Sequence, residues 1–332
     1  MRNFIVLILM LFTKALTAAE WEDEKVFSIG TETKTLRILS STDTIFFEPI
    51  IESFIKNNKD IKIEYFVTGT ASLDKIFRKS PEKYDLIISS AMDLQLKLVN
   101  DGFAKKINQL THPSWAKWRQ SLFAFTIEPA AIVLNKKAFE NREIPTTRQD
   151  LIKELRSRPT FFKDRIGTYD VRKSGLGYLF ATQDARTSET FWRLMEVMGG
   201  LGTKLYCCSG DMIDDLVSGK IVVAYNVLGS YAEARKKQSN EIEIILPADF
   251  PTNMMRTAMV SNSTTNLKVS EKFMQHLLNN QTSQKTDQTH ALPPLILKPG
   301  QQTIILEPAL MTYLDKLKRQ TFIKEWERAI IQ

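Results

Sequence analysis

From Thr35 onward the chain alternates short strand-like runs with amphipathic helical runs, and that alternation narrows the fold more than any other feature. Residues 35–40 read as a strand. Phe46, Phe47, Ile50, Ile51, Phe54 and Ile55 then recur at helical spacing. Proline is tolerated only near a helix start, so Pro49 predicts a helix beginning around Glu48. Residues 61–67 alternate as a second strand, a helix follows Thr68, Gly69 and Thr70, residues 84–88 form a buried-type strand, and a helix follows Ser89 and Ser90. This β-α-β-α-β-α order predicts a parallel sheet covered by helices. Near Ser121 the rhythm changes to two extended pieces, 122–127 and 130–134, which suits a crossover. A second α/β unit follows, with strands expected at 166–170 and 221–225 and a return crossing at 242–247. A further strand at 256–260 and a mostly helical remainder complete the chain. The expected organisation is one lobe from 33–125 and 255–332, interrupted by a second at 126–254. Hinge segments are expected near 125–133 and 242–250, and each lobe as a mainly parallel sheet.

The amino-terminal segment predicts where the chain works. Arg2 is followed by an uninterrupted apolar run at 4–12, a break at Lys14 and small residues at 17–19. That is the order of a secretory signal peptide, expected over residues 1–19. The run is too short for a helix spanning a bilayer, which needs about 20 residues. No later stretch is apolar enough to span one, so the mature form is expected as a periplasmic monomer that is not membrane-inserted. The formal charge is +7, and two of those positive charges leave with the leader. A mild excess of this kind, spread along the chain, is not the concentrated footprint of a nucleic-acid binder and leans toward small anions. Cys207 and Cys208 are the only cysteines. Their adjacency argues against zinc, which usually takes cysteines two to four residues apart. Buried free thiols are expected, with a vicinal disulfide as the alternative. His112, His276 and His290 fall in no metalloprotease pattern, and no nucleophile elbow or phosphate-binding Gly-Lys-Thr loop occurs. No enzyme and no cofactor are expected.

Ser40 to Thr42, residues 84–90, 99–104 and 258–285 resemble the first lobe of type II periplasmic solute-binding proteins of ABC transporters. Residues 167–171, 174–180, 225–232 and 313–319, with Gln183, Asp184 and Trp326, are similar to the ferric-iron/organophosphate branch. Within it they most resemble the phosphoglycerate-transport regulatory periplasmic protein group. The resemblance implies two α/β lobes that close over a ligand. It also implies a membrane partner: an ABC permease, or a histidine kinase if the receptor is a sensor.

In open α/β sheets ligands sit beyond the carboxyl ends of the strands, and a helix amino terminus there offers unpaired N–H groups to an anion. The first-lobe candidates are Ser41, Thr42 and Asp43, then Thr68, Gly69 and Thr70, then Ser89 and Ser90. Plain helix capping is the competing reading for each loop. Second-lobe candidates are Arg172, Ser174 and Gly175 before a helix, Tyr225 and Asn226 at a strand end, and Ser230 and Tyr231 at the next helix. The expected ligand is a small anionic, phosphorylated metabolite. Ferric iron is the alternative, with Tyr231 as its ligand. The resemblance places Ser230 where iron receptors carry the first of two tyrosines, and ferric iron prefers several hard anionic oxygens.

Overall fold

The computed structural model describes residues 21–282 and 292–332. The expected signal peptide, and the part of the polar stretch from 283 onward, lie outside the described residues. The chain runs β1 (Asp23–Phe27), β2 (Lys34–Ser40), α1 (Thr44–Lys56), β3 (Ile61–Val67), α2 (Thr70–Lys79), β4 (Leu86–Ser89), α3 (Met92–Asn100), β5 (Lys117–Trp118) and β6 (Leu122–Ala124). It continues with β7 (Glu128–Asn135), α4 (Arg148–Ser157), α5 (Pro159–Phe162), β8 (Ile166–Tyr169), α6 (Gly175–Thr187), α7 (Thr190–Gly200) and β9 (Lys204–Tyr206). Then come α8 (Ser209–Val217), β10 (Val223–Leu228), α9 (Gly229–Gln238), β11 (Ile242–Ile245) and β12 (Asn253–Met254). The last elements are β13 (Thr257–Val260), α10 (Leu267–Thr282), a 3-10 turn at Pro308–Leu314 and α11 (Lys316–Ile330).

These strands build two sheets, in the orders β1-β3-β2-β4-β13-β6-β5 and β11-β7-β10-β8-β9, with β12 added beside β7. In β3 the alternate residues Ile61, Ile63, Tyr65 and Val67 are buried, as period-2 geometry requires of a strand with one face inward. β4 is buried throughout, as expected of a strand covered on both sides. The two lobes are α/β as expected, but the sheets are mixed rather than mainly parallel. Among the described residues, only β2–β3 and β2–β4 pair parallel in the first sheet, and β8–β9 and β8–β10 in the second. The antiparallel members are the edge strands β1, β5 and β11, the short β12, and the strands that carry the chain between lobes, namely β6, β7 and β13. α1 also starts four residues earlier than expected, at Thr44, and carries Pro49 inside it.

Two further expectations are corrected. The return crossing is not at 242–247. β11 is an edge strand of the second sheet, paired antiparallel with β7 from Ile242 opposite Asn135. The chain leaves the first sheet between β6 and β7 and returns between β12 and β13, so the crossings are 125–127 and 255–256. The carboxyl-terminal helix does not join the first lobe as the 255–332 boundary implied. Phe322, Trp326, Ala329 and Ile330 on α11 are buried with Leu194, Met195 and Met198 on α7, under the second sheet. The apolar stripe of α11 was visible in the sequence, but the surface it covers depends on a fold that no local pattern encodes. The approach is close: a Cβ at Gly199 would collide with the Ala329 carbonyl oxygen.

At the amino-terminal turn of α3, Asp93 is buried, and its Oδ1 has no hydrogen-bond partner. Burial pushes its carboxyl up to about 7, against the pull of backbone N–H groups and of Arg319. The folded pKa exceeds the ordinary 3.8, so the folded form holds a proton that the unfolded chain releases. Stability contributed by the neutral acid is therefore complete below pH 4 and is lost as pH rises toward 7. Asp93→Asn should flatten this slope and raise stability at pH 8 by about 2–4 kcal/mol relative to pH 4. Urea denaturation of both proteins across that range checks it; identical slopes would contradict it.

Candidate functional site

Three parallel-running strands in each lobe end toward the other lobe, and each hands the chain to a helix. The turns after β2, β3 and β4 lead into α1, α2 and α3, and those after β8, β9 and β10 lead into α6, α8 and α9. All six turns contribute to one interlobe cleft. Ser41, Asp43, Thr68, Gly69, Thr70 and Ser90 line it from the first lobe, with Glu22 beside them. Tyr169, Ser174, Leu176, Cys207, Cys208, Ser209, Leu228 and Tyr231 line it from the second. A wider groove, lined by Arg156, Trp192, Arg328 and Gln332, lies among α4, α7 and α11 of the second lobe.

The lobes touch directly across the cleft. Thr70 Oγ1 accepts from the backbone N–H groups of Gly175 (2.8 Å) and Leu176 (3.2 Å), so a first-lobe side chain caps a second-lobe helix. The Asp43 N–H donates to the Tyr231 hydroxyl at 3.3 Å, and the Tyr231 ring lies against Phe46 with centroids 4.3 Å apart. Behind the wall, the guanidinium of Arg256 takes both carboxylate oxygens of Glu128, at 3.0 and 3.1 Å. Neither side chain has any exposure. Arg256 also donates to Thr42 Oγ1 at 2.7 Å, while Thr126 and Ser230 donate to the Glu128 carboxylate. Both interlobe crossings thus meet at one buried ion pair.

Among the described residues no lysine or arginine lines the cleft. Its charged groups are carboxyls. Burial pushes Asp43 upward, against the Tyr231 hydrogen bond and the Arg256 charge. Partial burial and the neighbouring Asp43 push Glu22 upward. Burial, then Asp43, holds the Tyr231 phenol well above its ordinary range. The positive potential comes from backbone N–H groups at helix starts, each end equivalent to roughly half a charge. The site can accept an anionic group at those ends, and its carboxyls can accept hydroxyl donors.

The sequence of the protein matches the model of the bacterial extracellular solute-binding protein family over residues 52–301. The chain belongs to that family. Its members are binding proteins, not enzymes, and no helix of the described residues is long and apolar enough to cross a membrane. No curated protein sequence matches the chain. The structure is similar to the substrate binding protein of an ABC transporter from Agrobacterium tumefaciens, with 29% identity and a TM-score of 0.85. That match covers 93% of this chain and 98% of the other. The fold is shared with the periplasmic binding protein AfuA from Actinobacillus pleuropneumoniae, solved with fructose-6-phosphate bound. Identity there is 15% and the TM-score 0.72, over 90% and 99% of the two chains. It is also shared with iron-bound HitA from Pseudomonas aeruginosa, at 13% identity and a TM-score of 0.62 over 89% and 99%.

Within this solute-binding fold the expected residues divide into two groups. Ser41, Asp43, Thr68, Gly69, Thr70, Ser90, Ser174 and Tyr231 come together at the cleft. Gly175 joins them through its backbone, tight against Thr70 and Leu94. The others do not line it. Thr42 is buried behind the wall on Arg256, and Ser89 Oγ accepts from the Ala91 N–H just ahead of α3. Arg172 turns away to Asp170 and Glu327. Tyr225 and Asn226 bond Asp184 inside the second lobe, and Ser230 bonds Glu128. The sequence reading missed Glu22, Tyr169, Leu176, Leu228 and the turn at Cys207 to Ser209. The signal for that turn was the same strand-then-helix step that marked the other loops, hidden by a strand of only three residues. The Ser209 hydroxyl pairs with the Tyr169 hydroxyl and accepts from the Leu228 N–H. The cysteines, expected buried, are exposed (Cys207) and half-buried (Cys208).

Proposed function

We propose that this protein is the exported, periplasmic receptor of an ABC-type uptake system and captures a small hydroxylated anion, a phosphorylated metabolite, by closing its lobes. One observation carries the reading: six helix starts from both lobes converge on one cleft rich in hydroxyls. Helix starts bind anions through N–H groups and dipole together. Asp43 and Glu22 supply acceptors for the solute's hydroxyls. Ligand contacts to both lobes favour the closed state, with 125–127 and 255–256 as the flexing segments. The likeness to the fructose-6-phosphate-bound receptor and the resemblance to phosphoglycerate-transport regulatory proteins support the same ligand class. Ferric iron is less suited, because it wants several free phenolates, whereas the two tyrosines that line the cleft, Tyr169 and Tyr231, are engaged by Ser209 and by the Asp43 N–H.

Calorimetry against a panel of phosphate esters and against ferric citrate tests this. Saturable heat with a phosphate ester, and compaction in small-angle scattering, are expected. Thr70→Ala removes the hydroxyl that joins the lobes and should weaken that binding about 10- to 100-fold while the protein stays folded. A visible tyrosinate-to-iron band with no heat from any phosphate ester would overturn the ligand assignment.

A further inference from the structure

The turn between β9 and α8 holds a second chemistry. Cys208 occupies the position just before α8, and Asp211 lies in the first turn of that helix. A three-residue step back along a helix start brings a side chain over the preceding cap position. The Asp211 carboxylate accordingly sits 3.1 Å from Cys208 Sγ and 3.7 Å from Cys207 Sγ. The two sulfurs are 2.9 Å apart, and the three ligand atoms all lie within 4.8 Å of one another.

We propose that Cys207, Cys208 and Asp211 form a binding site for one borderline-soft divalent cation, with zinc as its representative, at the second-lobe rim of the cleft. Zinc–sulfur bonds of about 2.3 Å and zinc–oxygen bonds of about 2.0 Å place tetrahedral S and O ligands about 3.5 Å apart. The two sulfur–oxygen separations bracket that value. The two sulfurs must part by somewhat less than 1 Å, within reach of side-chain rotation at an exposed and a half-buried residue. Adjacency argued against zinc in the linear sequence because it leaves two ligands on one side. The helix turn supplies the third. Three protein ligands leave a fourth position open, and both cysteines line the cleft, so this position is reachable by water or by a solute group.

Electrostatics favour a cation. Asp211 is joined by Glu22, whose charge is felt at Cys207 from across the cleft. Binding replaces two thiol protons with one metal ion, and both protons pass to solvent. The site does not depend on the identity of the solute and is testable in its absence.

The full-length mature protein, reduced with a phosphine and freed of metal, is titrated with zinc and separately with cobalt(II). One equivalent of zinc should bind, with about two protons released, read from the buffer dependence of the heat. The cobalt form should show an intense thiolate-to-cobalt charge-transfer band. Cys208→Ser should weaken zinc at least about 100-fold and diminish the band, and Asp211→Asn should weaken it roughly 10-fold with the band retained. Circular dichroism confirms that each variant is folded. Phosphate-ester binding is measured on the same preparations, so failure of the solute reading and failure of the metal site are seen separately. Zinc that fails to saturate the reduced protein overturns the proposal. So does cobalt bound without a charge-transfer band, or an affinity unchanged in Cys208→Ser.

Discussion

Glu128→Ala is expected to cost about 3–5 kcal/mol of folding stability, because it strands the Arg256 guanidinium in a site shielded from solvent. Among the described residues Glu128 is the only carboxylate that Arg256 bonds, and Thr42 Oγ1 would remain as its single side-chain acceptor. The hydroxyls of Thr126 and Ser230 lose their acceptor in the same step. The effect should spread beyond stability, since Glu128 opens β7 at one crossing and Arg256 precedes β13 at the other. Urea denaturation monitored by tryptophan fluorescence checks the magnitude. A loss below about 1 kcal/mol would mean that water or a rearranged side chain satisfies Arg256. Glu128→Gln keeps one acceptor and should fall between the two.

Asp184→Ala should be nearly as costly, at about 3–5 kcal/mol, for a related reason in the other half of the molecule. The Asp184 carboxylate accepts from Arg148 Nη2 (3.1 Å), Tyr225 OH (2.6 Å), Asn226 Nδ2 (3.0 Å) and Thr252 Oγ1 (2.9 Å). All of these residues are buried. Arg148 keeps its second partner, Asp249, and the Phe250 carbonyl, so its charge is not fully abandoned. Three neutral donors are nevertheless orphaned. One of them, Asn226, holds a left-handed backbone conformation at φ 63° within β10. The network lies off the cleft, so any folded Asp184→Ala protein should bind solute with unchanged affinity. Calorimetry on that protein separates the two roles: a large loss of affinity would place Asp184 at the binding site instead.

The sequence made the repeated strand–helix step visible because both periodicities are local. Every first-lobe loop chosen on that basis reaches the cleft through at least one residue. What failed was non-local. β11 reads as a crossing because nothing within residues 242–245 says that its partner is β7. Arg172 beside Ser174 looks like an anion ligand until Glu327, more than 150 residues away, takes one side of it. Tyr225 and Asn226 end a strand correctly, yet their side chains point into a polar core that requires Arg148 and Asp184 to be known as neighbours. Arg256 and Glu128 looked like ordinary charges, since a buried ion pair leaves no trace in either local pattern. The cysteine turn was hidden for another reason: its third partner becomes a neighbour only after α8 winds.

The last helix resting on the second lobe has a practical corollary. β1 and α11 sit on opposite lobes, fixed by β3 in one case and α7 in the other. Glu24 and Arg328, both exposed, therefore ride on different lobes. Donor and acceptor dyes placed at these two positions would turn the molecule into an optical gauge of its own shape. With the lobes closing on capture as proposed, the ratio of their emission would follow binding in real time, with no label on the solute.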